Sequence, residues 1–319
     1  MSVNHGSLTW KVIQSYYSSL DCPRSLTCWL MFKYNEHDQL AKLDIDPNGF
    51  DGPINFRNAY LATCFLSKAT FLSTSFDKKT VAMTKFYEAE LACLEINVRG
   101  YHHTKFRGVN EWLHSAVIRK IDSILQDFRA DEFVELADWG PGVSLDVKGD
   151  DTSSVNKFRL EVGITQPLND FVSKFIALAY PIWDLSKRET RLGNKVVTVP
   201  KNSKTDRTIA IEPGINLWFQ KAMGNAIGNR LLRVGIDLTK QERNQRLCRL
   251  GSQNNILATV DFSSASDTIA YSTVEALLPP RWFTLLDLVR SVYGHVSKAP
   301  FRYESFPLWG MVLLFSLRL

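Results

Sequence analysis

Two aspartates six positions apart carry the clearest chemistry in this sequence. In ILATVDFSSASDTIAYSTVEALL, a short apolar run (256–260) enters Asp261, and a loop of Phe262, Ser263, Ser264, Ala265 and Ser266 leads to Asp267. A carboxylate at the end of a buried strand sits on a rigid element with its oxygens aimed into the cleft beyond. Oxygen donors of that kind suit a hard cation such as Mg²⁺, shared with substrate phosphates. Apart from Phe262 the loop is built of small residues, so a ribose or phosphate can approach its backbone, and Asp267 can accept from a sugar hydroxyl. Two plainer roles stand beside these. Asp267 immediately precedes a helical pattern, where aspartate is a favoured N-cap, and Asp261 can be an ordinary acid of a strand-to-helix loop. The spacing alone discriminates little, so the surrounding elements have to decide.

Upstream, KVVTVP (195–200) and RTIAIEP (207–213) are short runs of alternating β-branched residues joined by KNSKTD, which predicts a basic hairpin. ILATV (256–260) is expected as a buried strand, and TIAYSTVEALL (268–278) as a helix closed by Pro279 and Pro280. INLWFQKAMGNAIGNRLLRVGI (215–236) reads as a helix ending near Gly235. Between about Arg57 and Asp131, three segments carry apolar residues at spacings of three and four, the helical period. VSKFIALAYPIWDL (172–185) is expected as a buried helix stopped by Pro181. Residues 1–57, with the turn-rich DPNGFDGP at 46–53, are expected as loops and short strands, and ADWGPGVSLDVKGDDTSS as a loop. Helices first, then strands and helices, give an α+β class.

The chain has 319 residues, enough for one large mixed domain or two smaller ones. Its five cysteines (Cys22, Cys28, Cys64, Cys93, Cys248) are odd in number and never form C-x-x-C, which argues against a disulfide framework or a zinc site. The start, MSVNHGSLTWKVIQ, has no basic-then-apolar secretory pattern. Charge is uneven: from Lys187 to Arg249 there are fourteen basic residues against five acidic ones, inside a chain of net charge +5. Such a block points to a polyanionic partner, nucleic acid or nucleotide phosphate, with a solvated helix face as the plain alternative. Trp139, Trp183, Trp218 and Trp282 are assigned to the core rather than to base stacking. His102 and His103 cannot both point at one metal from a regular element.

The run VVTVPKNSKTDRTIAIEPGIN, then NQR, then ATVDFSSASDT closely resembles the RNA-directed RNA polymerase, the replicase beta chain, of the leviviruses, small positive-strand RNA bacteriophages. FYEAELACLEINVR, WGPG at 139–142 and LLPPRWFTLLDLVRS at 277–291 match in character too, so the resemblance covers most of the chain. It implies a right-hand polymerase. Residues 1–185 would be the mostly helical N-terminal and fingers region, 186–255 the basic fingers hairpin and helix, and 256–304 the start of the palm. It further implies that Asp261 and the backbone carbonyl of Phe262 hold Mg²⁺, in a two-metal nucleotidyl transfer. Lys201, Lys204 and Arg207 would neutralise the triphosphate, Asp267 would read the ribose, and the remaining basic residues between Lys221 and Arg249 would line the template path. Implied partners are an RNA template, nucleoside triphosphates, host translation elongation factors Tu and Ts and a small-subunit ribosomal protein, in the bacterial host cytoplasm. Gly149-Asp150-Asp151 imitates the metal-binding turn of such polymerases, but it precedes the first palm motif instead of following it and is read as a solvated turn.

The last residues, FPLWGMVLLFSLRL (306–319), are too few to span a bilayer as a helix, which needs about 20 apolar residues. After Asp287 the only acid is Glu304, so the second carboxylate cluster of a palm is expected to be missing, and with it activity. Reading the codons of this tail one base over permits F-S-S-M-G-N-G, similar to the Gly-rich second palm motif. Residues 305–319 are therefore read as an out-of-frame segment, which the nucleotide sequence would confirm or refute. A non-catalytic RNA-binding protein and a membrane-tethered protein are the competing readings. Loss of activity with retained RNA binding in Asp261→Ala, and partitioning with vesicles, would tell them apart.

Overall fold

The computed structural model describes residue 4 and residues 6–102, 111–183, 188–254, 256–258, 260, 263–297 and 299–307. It forms two compact units, Met1–Lys85 with Thr198–Thr208, and Phe86–Val197 with Ile209–Leu319. The class is mixed helix and sheet, as the α+β reading expects.

The first unit is helical where loops and short strands were expected. Helices α1 (Leu8–Leu20), α2 (Pro23–Lys33), α3 (His37–Lys42) and α4 (Pro53–Phe65) follow in order. Local signals account for this. The hydroxyl of Ser7 caps α1 by accepting from the Trp10 N–H, and Pro23 and Pro53 each start a helix at its first position. Trp10, Ile13 and Tyr17 then share one face of α1 and join Cys28, Phe32, Leu40, Ala62, Leu66 and Leu72 in one core. The polar residues around them hide a period that is helical.

The long helix α5 (Lys78–His102) runs from the first unit into the second, followed by α6 (Glu111–Leu125), α7 (Ala130–Glu135) and α8 (Ser154–Arg159). Strand β1 (Gly163–Thr165) leads directly into α9 (Gln166–Val172) and α10 (Ile176–Ala179). These two short helices replace the single buried helix expected over 172–185. The chain breaks after Val172, ahead of Pro181, and leaves Leu178 and Ile182 in solvent. Strand β2 (Glu189–Arg191) pairs in parallel with β1. The expected hairpin is present as β3 (Gly193–Pro200) and β4 (Asp206–Ile211). Then come α11 (Gly214–Arg233), α12 (Glu242–Asn254), α13 (Tyr271–Leu277) and α14 (Pro280–Val289), and finally β5 (Tyr293–Val296) and β6 (Ala299–Arg302).

The main sheet has the order β4-β3-β5-β6, with β3 parallel to β5 and β5 antiparallel to β6. Gly193 faces Tyr293 so closely that a Cβ there would lie 1.8 Å from the Tyr293 carbonyl oxygen, so only glycine fits. Helix α11 is buried on most of its surface and ends through Gly235 at φ +84°, whose backbone no side chain adopts comfortably. Around it packs the core of the second unit, where Phe133 stacks on Phe219 with ring centroids 4.4 Å apart. Trp139, Trp183, Trp218 and Trp282 are all buried in this core, as expected of them.

Two expectations next to the aspartates fail. Of the run 256–260, the described residues Ile256, Leu257, Ala258 and Val260 do not form a buried strand, with Ile256, Leu257 and Val260 78%, 45% and 56% exposed, and Thr259 lies outside the described residues. An apolar run becomes a strand only when a neighbouring edge satisfies its backbone, and among the described residues no strand pairs with it. The following helix starts at Tyr271, with Ala270 at its N-cap, so Asp267 is not the cap. Ser264 at φ +52° turns the chain, and its carbonyl accepts from the N–H groups of Asp267 and Thr268, which delays the helix. Gly149-Asp150-Asp151 lies in a short 3₁₀ turn over Gly149–Thr152. Of the tail, Ser305 and Phe306 are buried, with the Phe306 N–H donating to the Ile269 carbonyl at 2.8 Å, while 308–319 lie outside the described residues.

Candidate active site

The basic hairpin turn is built by its small polar residues. The Asn202 side-chain oxygen accepts from the N–H groups of Lys204 and Thr205, both at 2.9 Å, and the Asn202 N–H donates to the Thr205 carbonyl. Ser203 is buried. Its N–H and its hydroxyl both donate to the Ser67 carbonyl, and its own carbonyl accepts from the Thr74 hydroxyl at 3.1 Å. With Asn202 and Ser203 turned to the structure, Lys201 and Lys204 are left exposed in the connection and Arg207 at the start of β4. None of the three makes an ion pair among the described residues. Cations held on a pinned backbone and free of counter-charge can receive a phosphate chain without first breaking an internal contact.

The roots of both hairpin strands meet a buried polar network in the second unit. Glu212, one residue past β4, accepts from the Asn194 amide at 2.8 Å and from the Ser291 hydroxyl, and Asn194 in turn accepts from the Tyr303 hydroxyl at 2.8 Å. Burial pushes the Glu212 carboxyl up to about 7, against the hydrogen bonds from Ser291, Asn194 and Gln220 and the nearby Arg290 charge.

Asp261 and Phe262, the expected metal ligands, lie outside the described residues. Among those described there is no group of three or more His, Cys, Asp or Glu side chains that could hold a metal ion. Asp267, in the second unit, is half-buried. Its Oδ1 accepts from the Ser266 hydroxyl at 2.9 Å and its carbonyl from the Cys93 thiol at 3.6 Å.

Sequence reasoning missed the side chains that hold this segment. Glu90, Cys93 and Asn97 fall on one face of α5. The Glu90 carboxylate accepts from the N–H groups of Glu304 and Ser305 and from the Ser305 hydroxyl. Asn97 donates to Glu304 and accepts from the Ser272 N–H at 3.0 Å. Burial raises the Glu90 carboxyl above its ordinary range, partly offset by those hydrogen bonds. The signal was visible as an acid and an amide among the apolar positions of FYEAELACLEINVR, without a hint of their partners. Lys157 likewise pins the WGPG loop, its ammonium donating to the carbonyls of Gly140 and Gly142 at 2.5 and 2.7 Å.

The basic block divides in two. Arg230 is buried and fully occupied, with both Nη atoms on the Glu132 carboxylate at 2.9 and 2.6 Å, so it is a structural residue and not part of a template path. Arg243, Arg246 and Arg249 on α12 are exposed.

A mixed fold with a pinned, phosphate-ready basic hairpin a short way upstream of an aspartate loop fits a nucleotide-handling protein. The family described as RNA replicase, beta-chain, matches residues 30–318, and the chain belongs to that family. It is 38% identical over 253 residues to the RNA-directed RNA polymerase subunit beta of Escherichia virus Qbeta, covering 77% of this chain and 43% of that protein. It is 37% identical over 260 residues to the RNA-directed RNA polymerase subunit beta of Enterobacteria phage SP, covering 78% and 44%. With the RNA-directed RNA polymerase beta chain of Escherichia phage MS2 it shares 32% identity over 309 residues, 93% and 55%. The chain thus spans about half the length of the curated relatives it matches. Among the described residues no helix is long and apolar enough to cross a membrane.

Proposed function

We propose that this chain carries the fingers and the first metal-binding segment of the palm of a right-hand RNA-directed RNA polymerase that acts in template-dependent nucleotidyl transfer. On this reading residues 1–255 belong to the N-terminal and fingers region and the palm begins at 256. The observation that carries the proposal is the hairpin, with Lys201, Lys204 and Arg207 exposed and in no ion pair among the described residues, beside a backbone fixed by Asn202 and Ser203. Fixed cations suit phosphoryl and nucleotidyl transfer, where the protein's task is positioning and charge stabilisation. Lys201, Lys204 and Arg207 hold the triphosphate, and Asp267 accepts from the ribose.

Asp261 and the Phe262 carbonyl would hold divalent metal, and an all-oxygen donor set of carboxylate and carbonyl suits Mg²⁺. Bound Mg²⁺ supplies charge neutralisation at the reacting phosphate. The partners that go with this reading are an RNA template, nucleoside triphosphates and, by family resemblance, the host elongation factors Tu and Ts and a small-subunit ribosomal protein in the infected bacterium.

The test is equilibrium binding of a fluorescent nucleoside triphosphate and the matching monophosphate. We expect the triphosphate to bind more tightly, and each cation replaced by Ala to weaken it by about tenfold, the value of one charge-assisted hydrogen bond. Equal affinity for both nucleotides, unchanged in the triple variant, would overturn the proposal.

A further inference from the structure

Between Glu90 and Gly100, helix α5 buries the wrong residues for a helix held by apolar packing. Glu90, Cys93 and Asn97 are buried there, whereas Leu91, Leu94, Ile96 and Val98 stand exposed. A packed helix ordinarily turns its aliphatic face inward, and burying a polar group is costly unless it is paired. The buried carboxyl, thiol and amide are spaced by three and four positions, and Gly100 follows three further on, so the four form one stripe. A Cβ at Gly100 would lie 3.0 Å from the Ser272 Oγ, so the stripe ends in a close backbone approach.

What the stripe holds is the stretch that begins at Asp267. The Asp267 carbonyl accepts from the Cys93 thiol at 3.6 Å, and the Ser272 N–H donates to the Asn97 side chain at 3.0 Å. The same stretch is tied to residues 304–306. The Tyr271 N–H donates to the Glu304 carbonyl at 3.1 Å, and the Phe306 N–H donates to the Ile269 carbonyl at 2.8 Å. Those residues return to α5, because the Glu90 carboxylate accepts from the N–H groups of Glu304 and Ser305, and Asn97 donates to the Glu304 carbonyl at 2.8 Å. One helix stripe therefore fixes residues 267–272 both directly and through 304–306. Burial, with the charges of Glu90, Asp267 and Glu304, pushes the Cys93 thiol up to about 12, so it stays a protonated donor.

We propose that the Glu90–Cys93–Asn97–Gly100 stripe is a positioning device that sets how strictly the protein selects nucleotides by their sugar hydroxyls. It fixes the backbone at Asp267 and hence the place of the carboxylate. The proposal rests on the polymerase reading, in which Asp267 accepts from the ribose, and it adds the residues that determine the selectivity of that contact. A hydrogen bond weakens steeply as its geometry departs from the optimum, so a small shift of this backbone costs sugar selectivity. The phosphate contacts proposed for Lys201, Lys204 and Arg207 involve none of these residues.

The experiment titrates the full chain, in Mg²⁺, with a fluorescent ribonucleoside triphosphate and with its 2′,3′-dideoxy counterpart, and reads the ratio of the two affinities. Wild-type should prefer the ribonucleotide by about tenfold, the value of one charge-assisted hydrogen bond, and Asp267→Ala should abolish the preference. Cys93→Ala and Asn97→Leu should each lower the ratio to about threefold, as for a hydrogen bond that keeps half its free energy, with the dideoxynucleotide affinity unchanged. Cys93→Ser, which keeps a donor in place, should hold the wild-type ratio. Partial unfolding scales both affinities by the same factor and leaves the ratio alone, so a merely structural role does not imitate this result. Gly100→Ala guards against variants that fail to fold: alanine favours the helix, and its methyl group should still lower the ratio by displacing Ser272. If Asp267→Ala abolishes the preference while Cys93→Ala, Asn97→Leu and Gly100→Ala keep the wild-type ratio, the inference is wrong and the polymerase reading stands. A wild-type chain without preference overturns the inference together with the ribose contact of Asp267, and one that binds neither nucleotide overturns the polymerase reading as well.

Discussion

Arg230 offers the sharpest test of how the basic block is divided. Its guanidinium is 3% exposed, and every nitrogen is engaged. Nε donates to the Leu125 carbonyl at 2.6 Å. Nη1 donates to Glu132 and to the Ala226 carbonyl, and Nη2 to the Asp127 carbonyl and to Glu132. The group also lies 4.8 Å from the Trp282 ring centroid. Replacing it in Arg230→Met fills similar volume but leaves the Glu132 carboxylate with only the Arg129 N–H and takes the Arg230 donors from the carbonyls of Leu125 and Asp127. Breaking a buried pair in this way costs about 3–5 kcal/mol. Because the Glu132 side chain keeps 16% exposure and can recruit water, the lower half of that range is expected. In a domain of this size each kcal/mol lowers Tm by roughly 2–4 °C, so the transition should fall by roughly 6–16 °C.

Chemical denaturation read by circular dichroism supplies the free energy, and a pH series supplies a second check. The hydrogen bond from Arg230 holds the Glu132 carboxyl below its ordinary range, despite partial desolvation. A depressed carboxyl contributes stability above its unfolded pKa of about 4.3, and that contribution is lost as pH falls through the folded value. Wild-type should therefore lose this stability on acidification, and Arg230→Met should show a flatter profile. A loss below about 1 kcal/mol at neutral pH, or an unchanged acid profile, would mean that Arg230 is not the structural residue described here.

Glu212 should behave in the opposite sense. With its folded pKa raised to about 7, the neutral acid is favoured in the fold. Its contribution is fully present below the unfolded pKa and declines as pH rises through the folded one, so between pH 4.5 and 7.5 wild-type should lose roughly 3 kcal/mol relative to Glu212→Gln. Denaturation midpoints of the two proteins across that window check it, and parallel profiles would contradict it. Gly193→Ala should destabilise by about 3 kcal/mol or more, since its methyl would collide with the Tyr293 backbone; a thermal shift within 1 °C would contradict the register of β3 on β5. Asn97→Leu should cost about 2 kcal/mol through the unpaired Ser272 N–H and Glu304 carbonyl, with faster hydrogen exchange at Ser272 as its local signature.

The hairpin, α5, α6 and α11 were legible in the sequence because each is written in local terms. β-branched alternation around KNSKTD and apolar spacings of three and four need no distant partner. Helices α1–α3 were missed, although Ser7, Pro23 and the Trp10–Ile13–Tyr17 spacing encode them, because the polar residues between masked the period. What could not be read depends on distant chain. Asn97 meets Glu304 across 207 positions, and nothing near either residue announces the other. Residues 256–260 have strand composition without a pairing edge among the described residues, so composition alone misled. Asp267 looked like a cap because a helical pattern follows it, but the turn at Ser264 moves the helix start to Tyr271. The arginines look alike in sequence, and it is burial and the pairing with Glu132 that separate Arg230 from the exposed Arg243, Arg246 and Arg249 on α12.

The most direct test of the central proposal couples the hairpin to Asp261. Affinity for a fluorescent nucleoside triphosphate is measured with Mg²⁺ and with a chelator, for wild-type and for Asp261→Ala. If Asp261 holds the metal that neutralises the triphosphate, Mg²⁺ should tighten wild-type binding by tenfold or more and leave the variant almost unchanged. The residual affinity of the variant should still depend on Lys201, Lys204 and Arg207. The same Mg²⁺ enhancement in both proteins would contradict the account.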